Sequence, residues 1–530
     1  MIHKYGKIFT WFVLAGVLLT GCAGADNEAL PGEEATEVET TEAEGEESSA
    51  EESTQGQSAE TSQAESSSGN AAPRVEIETN DRDWYDEDGI RWLMHAENVS
   101  ISVSGESYEA LGEAVAGWNE EQTEAFWESC EEFSGYAAEE ATYTEWDADS
   151  YYYDAWREAE LCRVDESVVS FTILSYAYTG GAHGNSGYTG VTFDAQSGEI
   201  LTLSDILTDE DGFQAAAQQW IVEKLAADHG DELFEDYEET VAAMWEAEPD
   251  WYLDAEGITF IFDPYEVGPY AMGAAFVCCP YDEFGAYMKE TYSGMNGVGA
   301  GRFSANADVE TDLGTLRIDM PVDEDYGMAP VSLSLNGELL EAGEFGSFGD
   351  AYLLRLSDGR SFVLFDADYA SDDYVCFFCE ITDGSPVLRS RLEEVSLQGG
   401  TAGTEVLTLR VHLDVLGTYY AYMDYVIGES GELMQTEDVF EIRSDSYAWR
   451  VLTVARELPV TVDGQAGVLP VGTRIRITGS DNAGTVYYRD EDSGEKGSIS
   501  YTRGDGENAW ELYIDGVSEY EYFEMLPYAG

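Results

Sequence analysis

The chain has 530 residues, with 108 Asp and Glu against 24 Lys and Arg, a formal charge of −84 at neutral pH, beside 44% apolar and 13% aromatic residues. At about 150 residues per domain the length allows three or four domains, and the apolar share excludes a wholly disordered acidic chain. The charge excludes duplex or single-stranded nucleic acid as a partner, because binding a polyanion depends on basic patches that release counterions. Cationic partners are favoured instead, whether metal ions, basic proteins or basic polymers.

Residues 1–21 begin with His3, Lys4 and Lys7 and continue as an apolar run of 12 residues from Ile8 to Leu19. Such a run is too short to span a bilayer and has the layout of a secretory signal. It ends in Leu19-Thr20-Gly21-Cys22, which resembles a bacterial lipobox. The resemblance implies that the Cys22 sulfur takes a diacylglycerol and becomes the mature N-terminus, so that two acyl chains hold the protein on the outer face of the cell membrane. Residues 22–80 are Glu, Ser, Thr, Gln, Gly and Ala with almost no bulky apolar side chain, a composition expected to stay unstructured. As a coil this tether spans roughly 40 Å. Residues 26–80 hold 16 acids and one base, Arg74, which leaves a charge of −71 on residues 81–530. The folded part is itself a strong anion.

Residues 81–292 read as an α+β region. Tyr108, Leu111, Val115, Trp118, Phe126, Cys130 and Phe133 recur at helical steps and predict a helix over 106–134. An aromatic stretch, Tyr151, Tyr152, Tyr153 and Trp156, precedes a predicted strand over Val168–Tyr178. Gly180-Gly181-Ala182-His183-Gly184-Asn185 breaks it, and Tyr188–Phe193 with Glu199–Leu203 predict a hairpin around the turn Ala195–Gly198. Two amphipathic helices follow, one on Phe213, Ala217, Trp220, Ile221 and Leu225, the other on Leu233, Tyr237, Val241 and Trp245. Strands over Gly257–Phe262 and Ala274–Cys279 are joined by Asp263-Pro264-Tyr265-Glu266-Val267-Gly268-Pro269-Tyr270.

Several of these residues also carry a resemblance. Tyr176-x-Tyr178-Thr179-Gly180-Gly181-Ala182-His183-Gly184, then Thr192-Phe193-Asp194, Gly198-Glu199 and Leu203-x-Asp205-Ile206, then Ile258-Thr259-Phe260-x-Phe262-x-Pro264-Tyr265-Glu266-x-x-Pro269-Tyr270 and Pro280-Tyr281-Asp282, are similar to the paired extracellular modules of the RsiV-type family. In that family the modules form the lysozyme-binding ectodomain of an anti-sigma factor, and they precede the catalytic domain of PdaC-type peptidoglycan deacetylases. The resemblance covers roughly residues 90–290. An anti-sigma factor needs a cytoplasmic segment and a membrane span, and a deacetylase needs its own metal-ligand motifs, whereas the five His here (His3, His95, His183, His229, His412) are widely scattered. The ectodomain alone is carried over.

From residue 300 to 450 short alternating segments over Leu313–Met320, Pro330–Leu335, Tyr352–Leu356, Ser361–Phe365, Tyr374–Ile381, Val406–Val415 and Tyr420–Ile427 are separated by Asn-Gly, Asp-Gly and Ser-Gly turns. They predict an all-β sandwich or meander. Residues 456–530 resemble a small SH3-type barrel of the bacterial cell-wall kind, on strand patterns such as Gly472-Thr473-Arg474-Ile475-Arg476-Ile477 and Thr485-Val486-Tyr487-Tyr488.

Candidate chemistry is sparse. His183 lies in a glycine-rich turn with Ser175, Ser186 and Asp194 near in sequence, but no Gly-x-Ser-x-Gly elbow exists, so its expected role is a hydrogen bond to the neighbouring loop beside Gly180 and Gly181 at positive φ. Cys130, Cys162, Cys278, Cys279, Cys376 and Cys379 permit 15 disulfide pairings, and Cys376-x-x-Cys379 falls in a predicted strand, where residues three apart point to opposite faces. Buried or bridged structural thiols are expected. Asp209 and Asp211 read as helix-capping acids, and neither they nor Asp81, Asp83, Asp86, Glu87 and Asp88 have calcium-loop spacing. No catalytic constellation, metal or cofactor is therefore expected. The ligand-binding residues expected are Tyr178, His183, Tyr265, Glu266 and Tyr270, because aromatic side chains stack on sugars and anchor protein interfaces alike. The ligand expected is a basic protein such as lysozyme, with peptidoglycan or other cell-wall glycan as the alternative.

Overall fold

Two long strands open the fold. β1 (Arg74–Tyr85) and β2 (Trp92–Ser104) pair antiparallel along their length, from Arg74 opposite Ser104 to Tyr85 opposite Trp92. The computed structural model describes residues 72–87, 89, 91–142, 153–320, 327–369, 373–382, 384–443 and 451–528; the leader, Cys22, residues 23–71, Asp88, Tyr151 and Tyr152 lie outside the described residues. The first described strand starts at Arg74, inside the stretch expected to be unstructured up to residue 80. Val75 and Ile77 are buried there, an alternation that supplies the apolar burial a strand needs.

Helix α1 (Glu109–Glu140) follows, longer than the predicted 106–134, and buries Leu111, Val115, Trp118, Phe126, Cys130 and Phe133. It lies on β4 (Val168–Tyr178) and β5 (Asn185–Asp194), where the Trp118 ring meets Phe171 and Phe193 edge-on at 5.4 and 6.4 Å between centroids. β3 (Tyr153–Asp165) runs parallel to β2 at its start and antiparallel to β4, and β4 is antiparallel to β5. The period of two sends Ala155, Ala159 and Leu161 inward and leaves Asp154, Trp156, Glu158 and Glu160 half-buried on the opposite face.

The predicted hairpin after β5 keeps its turn but loses its second arm. Gly198 adopts φ +72°, yet Glu199–Leu203 pairs only through a Phe193–Ile200 bridge. A competing structure wins because Thr202 and Asp205 form a capping box that starts helix α2 (Leu203–Ile206). Helix α3 (Glu210–His229) is capped by Asp209, which accepts from Gly212 N at 3.0 Å, as the acid spacing predicts. Helix α4 (Tyr237–Ala243) is shorter than the pattern suggests and ends in a 3-10 turn over Met244–Glu246. A three-stranded sheet, β6 (Trp251–Leu253), β7 (Gly257–Phe262) and β8 (Ala275–Pro280), packs Phe260, Phe262 and Val277 against Phe213, Ala217, Ile221 and Leu225 of α3. Helix α5 (Tyr281–Phe284) closes this layer.

The rest of the described chain is almost wholly strand. β9 (Gly299–Phe303) returns to pair with β3, and β14 (Ser347–Arg355), β15 (Ser361–Asp368), β16 (Tyr374–Ile381) and β17 (Pro386–Glu393) extend the first sheet to ten strands. β10 (Asp308–Thr311), β11 (Gly314–Asp319), β12 (Ala329–Leu335) and β13 (Glu338–Phe345) form a four-stranded sheet that packs on it through Leu316, Leu333, Phe345, Leu353, Phe365 and Phe377. An eleven-stranded sheet runs from β18 (Val395–Ala402), β19 (Leu407–Asp414) and β20 (Thr418–Ile427) through β22 (Phe440–Ile442) to β26 (Arg474–Ser480), β27 (Thr485–Asp490) and β28 (Lys496–Ser500), with β24 (Leu458–Val462) and β25 (Gln465–Leu469) at its end; β21 (Leu433–Gln435) and β23 (Val451–Thr453) attach to β20 and β26. The protein is mostly β, with several sheets and no closed barrel among the described residues. Among the described residues no sheet closes into the small barrel expected over 456–530: Phe440 and Glu441 pair with Ser480 and Gly479, so β26 joins β22 in the open sheet, and the last strands, within residues 502–518, form a separate three-stranded sheet.

All six described cysteines are unbridged. Cys376 and Cys379 stand in β16 opposite Leu392 and Leu388 and are both buried, and burial pushes the Cys379 thiol up to about 12. These two are packed thiols whose burial disfavours the thiolate.

Candidate functional site

Two loops meet at one end of the β4–β5 pair. The first leaves β4 at Tyr178 and turns on Gly180 and Gly181, at φ +90° and +103°, conformations that side chains rarely adopt. The chain enters β5 past Gly184, where a Cβ would fall 2.3 Å from the Tyr176 ring, so glycine is required for the turn to lie against that ring. The second loop joins β7 to β8. Asp263 ties the second loop to β5, just past the first loop, its Oδ1 accepting from Tyr188 N at 2.7 Å.

Three of the five expected ligand-binding side chains converge here. The His183 ring stacks on Tyr270 with centroids 4.0 Å apart and planes 17° from parallel. His183 Nδ1 donates to Gly184 O at 2.8 Å, which fixes the proton on that nitrogen and turns Nε2 toward the Tyr265 hydroxyl, 3.5 Å away. The Tyr265 and Tyr270 rings lie 5.7 Å apart, and Tyr265 is 51% exposed. The other two brace the loops. Tyr178 donates its hydroxyl to Gly181 O at 3.1 Å, and Glu266 accepts from Asp263 N at 2.9 Å. His183 thus bonds its own loop, and none of Ser175, Ser186 and Asp194 is joined to it. Asp194 is taken up by Gln196 N, by Ser197 and by the Tyr292 hydroxyl, which hold its pKa below the usual carboxylate range against the opposing effect of its burial.

Tyr265 has φ +74°, in the left-handed region that a bulky residue enters only under strain. Two hydrogen bonds hold the turn, Tyr265 N to Gly268 O at 3.1 Å and Glu266 N to Asp263 O at 3.0 Å. The fold therefore spends local strain to keep an aromatic ring in solvent.

Residues outside the expected set complete the site. Tyr176 lies under the first loop and stacks on Trp156 with centroids 5.0 Å apart and planes 21° from parallel. Its alternation with Tyr178 along β4 was the available signal. Asp154, on the same face of β3 as Trp156, has its pKa pushed up to about 6, chiefly by burial, with His95 acting in the opposite direction. Of the remaining aromatic stretch, Tyr153 is buried and donates to Glu140. Beside the second loop runs an exposed acidic turn carrying Asp228, Asp231, Glu232, Glu235, Asp236, Glu238 and Glu239. It is fastened there by Phe234 N donating to Val267 O at 2.9 Å. From residue 225 to 288 the sequence holds 16 acids and no Lys or Arg. Among the described residues no group of three or more His, Cys, Asp or Glu is arranged to hold a metal ion.

Residues 204–282, from α2 to the start of α5, match the model of DUF3298, a protein family of unknown function. Two solved structures are similar to this chain. A DUF3298-family member from Bacteroides fragilis is 20% identical, with a TM-score of 0.33, over 42% of this chain and 96% of that one. A DUF3298-family protein from Pseudomonas aeruginosa is 18% identical, with a TM-score of 0.32, over 42% of this chain and 97% of that one. No curated protein matches the chain. No helix among the described residues is long and apolar enough to cross a membrane.

Proposed function

We propose that this protein is a bacterial cell-surface lipoprotein, anchored through Cys22, whose RsiV-like ectodomain binds a basic protein such as a lysozyme without chemical catalysis. One observation carries the reading: Tyr265 is held half-exposed at a strained backbone angle, tilted against the Tyr270 ring that stacks on His183, beside an acidic turn in a stretch of 64 residues with no Lys or Arg. An exposed ring anchored by its neighbours is the kind of group that fills a partner's pocket, and the surrounding carboxylates attract a cationic partner at long range. The lipobox and the acidic segment before Arg74 support display at a distance from the membrane.

The test is a pull-down and titration of the full chain with a cationic lysozyme across a salt series. Binding is expected at low ionic strength, weakening as salt rises. Tyr265→Ala is expected to lower affinity about 10- to 100-fold, or about 1.4–3 kcal/mol. Absence of binding at low salt removes the basic-protein reading, and co-sedimentation with insoluble peptidoglycan in that case transfers the site to cell-wall glycan.

A further inference from the structure

The segment Arg474–Arg503 carries five of the chain's 24 Lys and Arg within 30 residues, matched by five acids, whereas the whole chain has 108 acids against those 24 bases. The strand register shows where they go. Arg476 of β26 stands directly opposite Arg489 of β27, and Arg489 directly opposite Lys496 of β28. Three cations therefore form a row across three neighbouring strands, about 10 Å long at the usual strand spacing. Like charges placed directly opposite each other destabilise a sheet.

Arg474 extends the row on the same face, two residues before Arg476. The acids nearby compensate only in part. Glu491 lies 3.5 Å from Arg476 and 3.1 Å from Arg489, and Asp492 lies 4.0 Å from Arg474. The Nε of Arg476, enclosed by protein, is the atom that faces Glu491, at a contact without hydrogen-bond geometry. The side chains of Arg474 and Arg489 are 54% and 47% exposed, and Tyr487 and Ser498, paired across β27 and β28 on the same face, add hydroxyls beside the cations.

We propose that this row is an anion-binding strip that takes a linear phosphate-bearing chain. Arginine presents a planar fork that matches two phosphate oxygens at once, and a row of cations one strand-spacing apart offers successive contacts to a ligand with repeated anionic groups. The occupant is a short soluble chain and not a long polyanion, because the net charge of −84 repels extended anions beyond the immediate contact.

The experiment is an equilibrium titration of the full chain with linear inorganic polyphosphate at about 150 mM salt, where a screening length of about 8 Å weakens the distant acids more than the contacts in the strip. Saturable binding is expected. Arg489→Gln/Lys496→Gln is expected to weaken it at least tenfold while melting no lower than wild type, since it relieves the like-charge opposition. Arg317→Gln, which removes a base on β11 outside the strip, is expected to bind as wild type. No saturable binding, equal weakening in Arg317→Gln, or binding to phosphatidylglycerol vesicles with none to polyphosphate overturns the proposal. A double variant that melts lower assigns the row to folding and overturns it as well.

Discussion

Arg163 shows what one side chain does when burial is complete. It is fully enclosed and bonds Asp165, the Tyr281 hydroxyl at 2.8 Å and the Gly294 carbonyl, so it joins β3 to α5 and to the chain entering β9. Removing such a partner leaves a buried carboxylate uncompensated, at a cost of about 3–5 kcal/mol. Arg163→Ala is therefore expected to lower unfolding stability by that order in urea denaturation. Arg317→Ala, which breaks partly exposed pairs with Asp308 and Asp319, is expected to cost less than about 1 kcal/mol. Tyr265 represents the opposite case, a residue whose conformation opposes stability. Tyr265→Gly removes the strain at φ +74° together with the ring, so the variant is expected to stay within about 1 kcal/mol of wild type in the same denaturation series while losing lysozyme binding. A large loss of stability would mean that the ring serves the fold.

At the scale of elements, close approach decides how the three-stranded sheet sits on β5. An ideal Cβ at Gly190 falls 2.0 Å from the Trp251 carbonyl oxygen, so β6 can pass there only because that position has no side chain. Leu253 N then reaches Ser170 Oγ at 3.0 Å. Gly190→Val is expected to displace β6 and cost about 1–3 kcal/mol or more, measured as a lowered denaturation midpoint, with the neighbouring exposed Gly181→Ala costing less. The elements legible in sequence were those whose patterns are local and repeated. The three- and four-residue spacing of α1 and the alternation of β4 recovered both, and β4 to its end residues. The second arm of the hairpin was not legible, because a capping box of Thr202 and Asp205 outcompeted a strand pairing of similar local strength. In the site, the loop motifs named His183, Tyr265 and Tyr270, but not Asp263, whose partner Tyr188 is 75 residues away in sequence.

The whole molecule is a strong anion whose interior also holds carboxylates away from water. Asp366, buried on β15 and accepting from Asp350 N at 2.7 Å and Leu397 N at 2.8 Å, is pushed up to about 7, chiefly by burial. Burial likewise raises Glu160, which Arg302 bridges to Asp350. A carboxyl that keeps its proton longer in the folded state than near its unfolded value of about 4 contributes stability at low pH that is lost as pH rises through its folded pKa. The melting temperature is therefore expected to fall between pH 5 and pH 8, and Asp366→Asn to flatten that decline; a midpoint that rises over this range would refute the assignment. Added salt is expected to raise the midpoint more at pH 8 than at pH 5, because the repulsion among surface carboxylates grows as they ionise. By itself the sequence determined the sign and size of the charge, the placement of α1, α3 and strands such as β4, β7 and β16, and the loops that carry the aromatic cluster, since these depend on composition and on patterns within a few residues. Only the tertiary structure decided that β26, β27 and β28 continue an open eleven-stranded sheet, that Tyr265 stands strained beside an acidic turn, and that Arg476, Arg489 and Lys496 stand in one row. Those facts depend on register and on contacts between distant segments, which no local spacing encodes.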